Sequence, residues 1–460
     1  MKALTVERNN MARGRMRVIN AYDAKMIMLM LPLIASNILQ QLYNTIDSVV
    51  ISRFTDESNF AAVGIASSVM NLFTFFLAGA CTGISVLFSQ SYGKGDSREL
   101  KNVFFQSFVC GLAISVVLSL GGIAGLGVIC ALIRVPAPLA ALVRLYLAVV
   151  LLGLPATYVY NLCGALLRSA GHTAVVLIVL LVCVVANTGL DICMVHTLGL
   201  GIFGAALATV VSQVMSAVLC LIAIKVFYPQ LMIAKKDCRL DRRTLRRILR
   251  FSGVTALHQS GLYIGKLMVQ GIVNTAGQSA IAGFTAATRI EGFANSFGDS
   301  GCAAAAVFVG QAYGACDKEK EETYFHSSLK ILSAMGIVCS ILMGIAAPGA
   351  SALFSGAGSE ALADSVSYLR LISVFYLFCF TGNTFAGYFD GMGKVQIPFL
   401  GAASHITLRI IISALLIHQM GLSAVALACG IGWIYANLFW SLLRRRYARR
   451  LKPVPCTSNR

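Results

Sequence analysis

Charge is what this 460-residue chain lacks: Asp, Glu, Lys and Arg make up 12% of it, against roughly 25% in an average soluble domain. With 57% hydrophobic residues beside so few charges, a soluble fold could not cover its own surface, which excludes a string of water-soluble domains. The 14 cysteines form no CxxC pair and no Cys/His spacing of a metal centre. Cys110, Cys130, Cys183, Cys220, Cys339 and Cys379 fall inside apolar runs, where cysteine is a small apolar filler and not a disulfide framework. No cleavage pattern follows the first apolar run, which therefore reads as an uncleaved span. A nucleophile elbow and a His/Asp/Glu set at catalytic spacing are also missing, so neither an enzyme nor a cofactor is expected.

What the chain has is apolar length. Stretches of about 20 residues or more can cross about 30 Å of hydrocarbon as helix. Twelve run near 27–52, 60–90, 103–130, 140–168, 173–196, 200–227, 251–277, 281–311, 328–350, 362–389, 395–418 and 421–442. The expectation is an all-α polytopic membrane protein. With the amino terminus inside, 30 of the 37 Lys and Arg residues fall in inner segments, and basic residues favour that side. Both termini are then cytoplasmic. The +18 net charge sits in these connectors and tails. The stretch 235–250, KKDCRLDRRTLRRILR, predicts a basic amphipathic helix on the inner leaflet, drawn to anionic lipids. Nothing aromatic interleaves it for base stacking, so no nucleic-acid partner is expected.

An internal repeat orders the spans. SQSYGKGD at 89–96 returns as GQAYGACD at 310–317, pairing Tyr92 with Tyr313. Asn161 and Gly171 pair with Asn383 and Gly393, Gly201 with Gly421, and Leu42-Tyr43 with Leu262-Tyr263. Each copy holds six spans, so both share one orientation. Two six-helix bundles related by a pseudo-two-fold along the membrane normal follow, with a transport path between them. The divisions are an amino tail at 1–26, a first lobe at 27–228, a basic linker at 229–250, a second lobe at 251–442 and a basic tail at 443–460.

Ionisable residues inside spans are costly and are functional candidates. Asp47 lies in span one, about 9 Å from its outer end, and Asp191 lies at a similar depth in span five. Asn187 stands one turn before Asp191 on the same face. Thr209 is about 15 Å into span six. Two acids, an amide and a hydroxyl thus reach one level and form a candidate site for H⁺ or Na⁺. Burial disfavours ionised carboxylates, so cation binding would change the charge of the lobe. Pro32, fifteen residues before Asp47, predicts a helix bend. In the second lobe, Lys266 lies among Gln259, Tyr263 and Gln270 and is a cavity candidate, as is Asn383, the repeat partner of Asn161. Arg289 and Glu291 are near enough to belong to one buried polar network, though two residues apart on a helix they face different ways; structural pairing is expected for them, and Arg409 also falls within a span.

Leu31-Pro32, the run Gln40-Gln41-Leu42-Tyr43-Asn44 with Asp47, the run Asn161…Gly164…Leu167-Arg168…Gly171, Arg289-Ile290-Glu291 and Gly-Gln-Ala-Tyr-Gly at 310–314 together resemble multidrug and toxic compound extrusion (MATE) transporters. The likeness is greatest to the DinF-like prokaryotic branch. The resemblance implies twelve helices around a V-shaped cavity, in a monomer of the cytoplasmic membrane that exports drugs and other organic cations against H⁺ or Na⁺. It also implies coupling at Asp47, Asn187, Asp191 and Thr209, bending at Pro32, and Tyr43 and Asn161 lining nearby. Asp390 stands where the family usually has arginine, and the second-lobe acids of the NorM-like branch are missing. The alternative is a flippase for a lipid or lipid-linked saccharide of the same superfamily.

Overall fold

The computed structural model describes residues 2–233, 239–355 and 359–450, with side chains from residue 21 onward except those of 48, 355 and 448–450. Lys235 and Lys236 of the basic stretch and the tail beyond 450 lie outside the described residues. Among the described residues every regular element is helical. The first half of the chain forms α1 (Lys2–Phe54), α2 (Glu57–Gly93), α3 (Ser97–Ala124), α4 (Leu126–Leu132), α5 (Ala140–Leu151), α6 (Leu154–Ser169), α7 (Thr173–Asp191) and α8 (Gly201–Phe227). The second half forms α9 (Arg242–Val273), α10 (Gln278–Gly314), α11 (Lys318–Ser355), α12 (Glu360–Ser373), α13 (Tyr376–Gly391), α14 (Gln396–Met420) and α15 (Leu422–Arg450).

Among the described residues, eight helices are long and apolar enough to cross a membrane, and the bent pairs α5–α6 and α12–α13 supply two more. The remaining spans of the expected twelve are α9 and α10, whose charged residues lower their mean hydropathy. Spans four and ten, read from sequence as single helices, bend by 44° and 55°. At the first bend Gly153 and Pro155 interrupt the helix. At the second, the Phe375 ring occupies the space a side chain at Gly430 would need, 2.3 Å from the ideal Cβ position.

The repeat is written into the backbone as well as the residue types. The breaks at 152–153 and 374–375 are 222 residues apart. Gly95 and Cys316, 221 apart, both take left-handed backbone (φ 72° and 57°), as do Gly171 and Gly393 (88° and 75°). Asp96 accepts backbone N–H bonds from Arg98 and Glu99 at the start of α3, and Asp317 accepts one from Lys320 at 3.0 Å at the start of α11. The Lys320 ammonium, 2.7 Å away, and its backbone N–H hold the Asp317 carboxyl below its ordinary range. That stabilisation is therefore present at neutral pH and lost as pH falls through the native value. Replacing this cap, Asp317→Ala, is expected to cost about 1 kcal/mol at pH 7. The gap to wild type should narrow in thermal melts below about pH 4. A gap that is constant with pH contradicts the assignment.

The chain divides into two compact units, Met1–Ile34 with Gly265–Arg460, and Ala35–Ile264. These units cut across the sequence halves at helices α1 and α9. Met26, Leu29, Met30 and Leu33 of α1 are buried in the same apolar core as Phe284, Tyr368 and Phe389. The early part of α9 packs instead on α2. Gly79 and Gly83 admit its backbone so closely that a Cβ would lie 2.6 Å from the Thr255 carbonyl oxygen and 2.5 Å from that of Phe251. Glycines four apart permit this approach. The basic stretch also departs from expectation. Residues 242–250 are the first turns of α9 itself, not a separate helix, because Asp241 caps that end by accepting the Thr244 N–H at 2.9 Å. Arg247 and Lys94 both pair with Glu99, at 2.9 and 2.8 Å.

Candidate functional site

Within the unit Ala35–Ile264, spans one, four, five and six bring a small polar group together. Asp47 projects from α1 and Asp191 from the last turn of α7, and their carboxyl groups lie within direct interaction range. The phenols of Tyr43 on α1 and Tyr146 on α5 lie beside the Thr209 hydroxyl of α8 and within range of both acids. Thr209 donates its own proton to the Ala205 carbonyl at 3.0 Å, leaving its oxygen lone pairs toward the phenols. Asn187 and Asp191, one turn apart, are each only 1% exposed.

The partners these groups lack define the site. Among the described residues, Oδ1 of Asp47, both carboxyl oxygens of Asp191 and both amide atoms of Asn187 are enclosed without a hydrogen bond, and neither acid forms an ion pair with a base. Buried polar atoms are normally satisfied, and enclosed carboxylates without a counter-charge are costly. An oxygen-rich, acid-bearing donor set of this kind suits a proton or Na⁺, the latter a hard cation that prefers oxygen. The backbone widens next to it: Ile192–Thr197, directly after Asp191, is π-helical, with the Leu198 N–H bonded to the Cys193 carbonyl at 2.9 Å. Such insertions commonly mark functional positions.

The other sequence candidates are placed as follows. Pro32 stands inside the unbroken α1, three residues before the chain enters the second compact unit at Ala35. Gln40 is exposed. Asn161 turns its amide back to the Thr157 carbonyl at 2.8 Å. Gln259 packs at the Gly79 crossing. Tyr263 donates to the Ser68 carbonyl at 3.1 Å and stacks on Phe75. Lys266 and Asn383 belong to the other unit, where Asn383 lies against Gly298. The expected Arg289–Glu291 pairing does not form. Two residues apart on α10 they face different ways, so Glu291 is buried and accepts the Tyr368 hydroxyl at 3.1 Å, while Arg289 is exposed and makes no ion pair among the described residues. The Arg409 charge acts on Glu291, and its Nε is enclosed without a partner. Asp390, 7% exposed, corresponds by the repeat to Arg168. Each lies in range of the matching cysteine, Cys302 and Cys81.

Two residues escaped the sequence reading. Tyr146 gives no signal within ALVRLYLAVV, where a tyrosine looks like filler. Asp299 in α10 carried the same signal as Asp47, an acid inside a span.

Residues 32–193 and 255–416 match the MatE family, two stretches that together cover well over half of the chain. The chain belongs to that family. The two matched stretches begin 223 residues apart, in register with the repeat. This MATE protein is 21% identical to the probable multidrug resistance protein YpnP of Bacillus subtilis, over 92% of this chain and 95% of that one. It is 23% identical to the probable multidrug resistance protein NorM of Thermotoga maritima, over 91% and 90%. Its fold matches that of a solved MOP superfamily transporter from Pyrococcus furiosus with a TM-score of 0.86, at 24% identity over 93% and 96% of the chains. The chain is thus a multi-pass membrane transporter of the MATE multidrug efflux type, with the expected twelve-span fold, and the flippase alternative is not favoured.

Proposed function

We propose that this MATE protein is a secondary antiporter of a prokaryotic cytoplasmic membrane, with both termini inside, that exports organic cations in exchange for H⁺ or Na⁺ by alternating access. The observation that carries the reading is the enclosed meeting of Asp47 and Asp191 without any cationic partner. Two neighbouring carboxylates repel, and a bound cation relieves that repulsion. The inward-moving ion would be held by the two acids, with Asn187 and the hydroxyls of Thr209, Tyr43 and Tyr146 completing its shell. Charge neutralisation there changes the packing of α1 against α7 and α8. Pro32, where α1 has lost one backbone hydrogen bond, is the position at which that helix would yield.

The test is uptake of a fluorescent organic cation into proteoliposomes under pH and Na⁺ gradients imposed separately. One of the two gradients should drive accumulation against the concentration difference. Uptake that ignores both gradients overturns the antiport reading.

A further inference from the structure

We propose that the unit Met1–Ile34 with Gly265–Arg460 carries a subsite for amphoteric organic solutes, in which Asp299 takes the ammonium group and Lys266 the acidic group. This rests on the export reading above and narrows its substrate class.

Lys266 and Asp299 lie inside spans seven and eight, about two turns or more from the nearest helix end. Both side chains are nonetheless exposed. The Lys266 charge acts on Asp299 and also on the buried Glu291, yet among the described residues neither Lys266 nor Asp299 makes a hydrogen bond or an ion pair. An unpartnered charge directed at hydrocarbon is costly, and charged residues within spans face the bundle interior or water, which places this face beside water.

The neighbouring residues agree. The exposed positions of α10 between its end turns are Ala282, Thr285, Arg289, Asp299 and Ala303, with no large apolar side chain among them. At 3.6 residues per turn they share one stripe about 100° wide. A lipid-facing helix is unlike this: α11 exposes Ile337, Val338, Ile341, Leu342 and Ile345. On α9, the exposed Leu257, Ile264 and Met268 lie about 160–200° around the helix from Lys266, and the exposed Leu267 about 100°. Lys266 shares its own side with Gln259, Tyr263 and Gln270.

This face therefore presents an acid and a base held apart, with Arg289 adding a second cation along the same stripe. A solute bearing only a positive charge gains Asp299 but is opposed by Lys266 and Arg289. A purely anionic solute meets the reverse. A solute carrying both groups satisfies both charges at once, and one charge-assisted hydrogen bond more is worth about a tenfold gain in affinity or better.

The experiment is equilibrium binding to the full-length protein in lipid nanodiscs, without any ion gradient. The probes are Nε-dansyl-lysine, with one ammonium and one carboxylate, its methyl ester, which keeps only the ammonium, and its Nα-acetyl derivative, which keeps only the carboxylate. Wild type should bind the zwitterion about tenfold tighter than either derivative. Lys266→Gln should erase the preference over the ester, Lys266→Arg should keep it, and Asp299→Asn should erase the preference over the acetyl form. The proposal is overturned if a singly charged derivative binds wild type as tightly, if either neutral variant keeps the full preference, or if the zwitterion does not bind. Asp47→Asn should retain the preference. Loss of coupling with preference intact, or the reverse, separates the failure of one reading from that of the other.

Discussion

Asp47→Asn and Asp191→Asn proteins are expected to reach the membrane folded, yet to lose gradient-driven transport by about 100-fold, equivalent to about 2.7 kcal/mol of lost drive. Neither substitution should lower thermal stability, because each removes one of two enclosed like charges that lack a counter-ion. If both carboxyls hold the ion, as proposed, the double variant should transport no worse than either single one. Residues acting as one unit give such non-additive losses. Uptake assays on the three variants decide it. Driven transport that survives in either single variant, or a double variant whose loss equals the product of the single losses, removes these acids from the coupling site.

Gly387→Leu should fail at an earlier stage, in folding. Gly387 and Gly391 of α13 face α10 so closely that a Cβ at 387 would stand 2.4 Å from the Cys302 carbonyl oxygen, and one at 391 would stand 2.8 Å from the Gly310 nitrogen. Those neighbours are backbone and cannot rotate aside. Overpacking a tight core costs about 1–3 kcal/mol, and a rigid helix seam places this variant at or beyond the upper end. A sharp drop in the thermal midpoint and in the yield of membrane-inserted protein is expected, with Gly387→Ala milder. The bulk-tolerant contrast is Gly253, which has open space around its Cβ position. Equal stability of Gly387→Leu and wild type would show that the seam opens freely.

Much of this architecture was legible in the sequence because lipid leaves a coarse signature. Apolar runs of spanning length, the basic bias of the connectors and the repeated Tyr92 and Tyr313 motifs each report a strong physical constraint. Asp47 and Asp191 stood out for the same reason, since a carboxyl group in an apolar run is conspicuous. The bend at 374–375 was not legible, because no local glycine or proline marks it; the Phe375 ring at that break seats on Gly430, far along the chain. The handover of α1 and α9 between the two cores was hidden as well. Met26 and Leu29 would suit either apolar core, and their hydrophobicity does not say which one.

The passage of α1 from one unit to the other has a consequence for biogenesis. Met26, Leu29 and Met30 leave the ribosome well before α10 to α15, whereas the core that shelters them is finished only after α15 has been translated. Until then those methionines and leucines must wait against lipid or a chaperone, so a nascent chain stopped after six spans would be inserted but unfinished. Closure of this core is therefore a late, long-range event, one that joins an early-made helix to helices made much later.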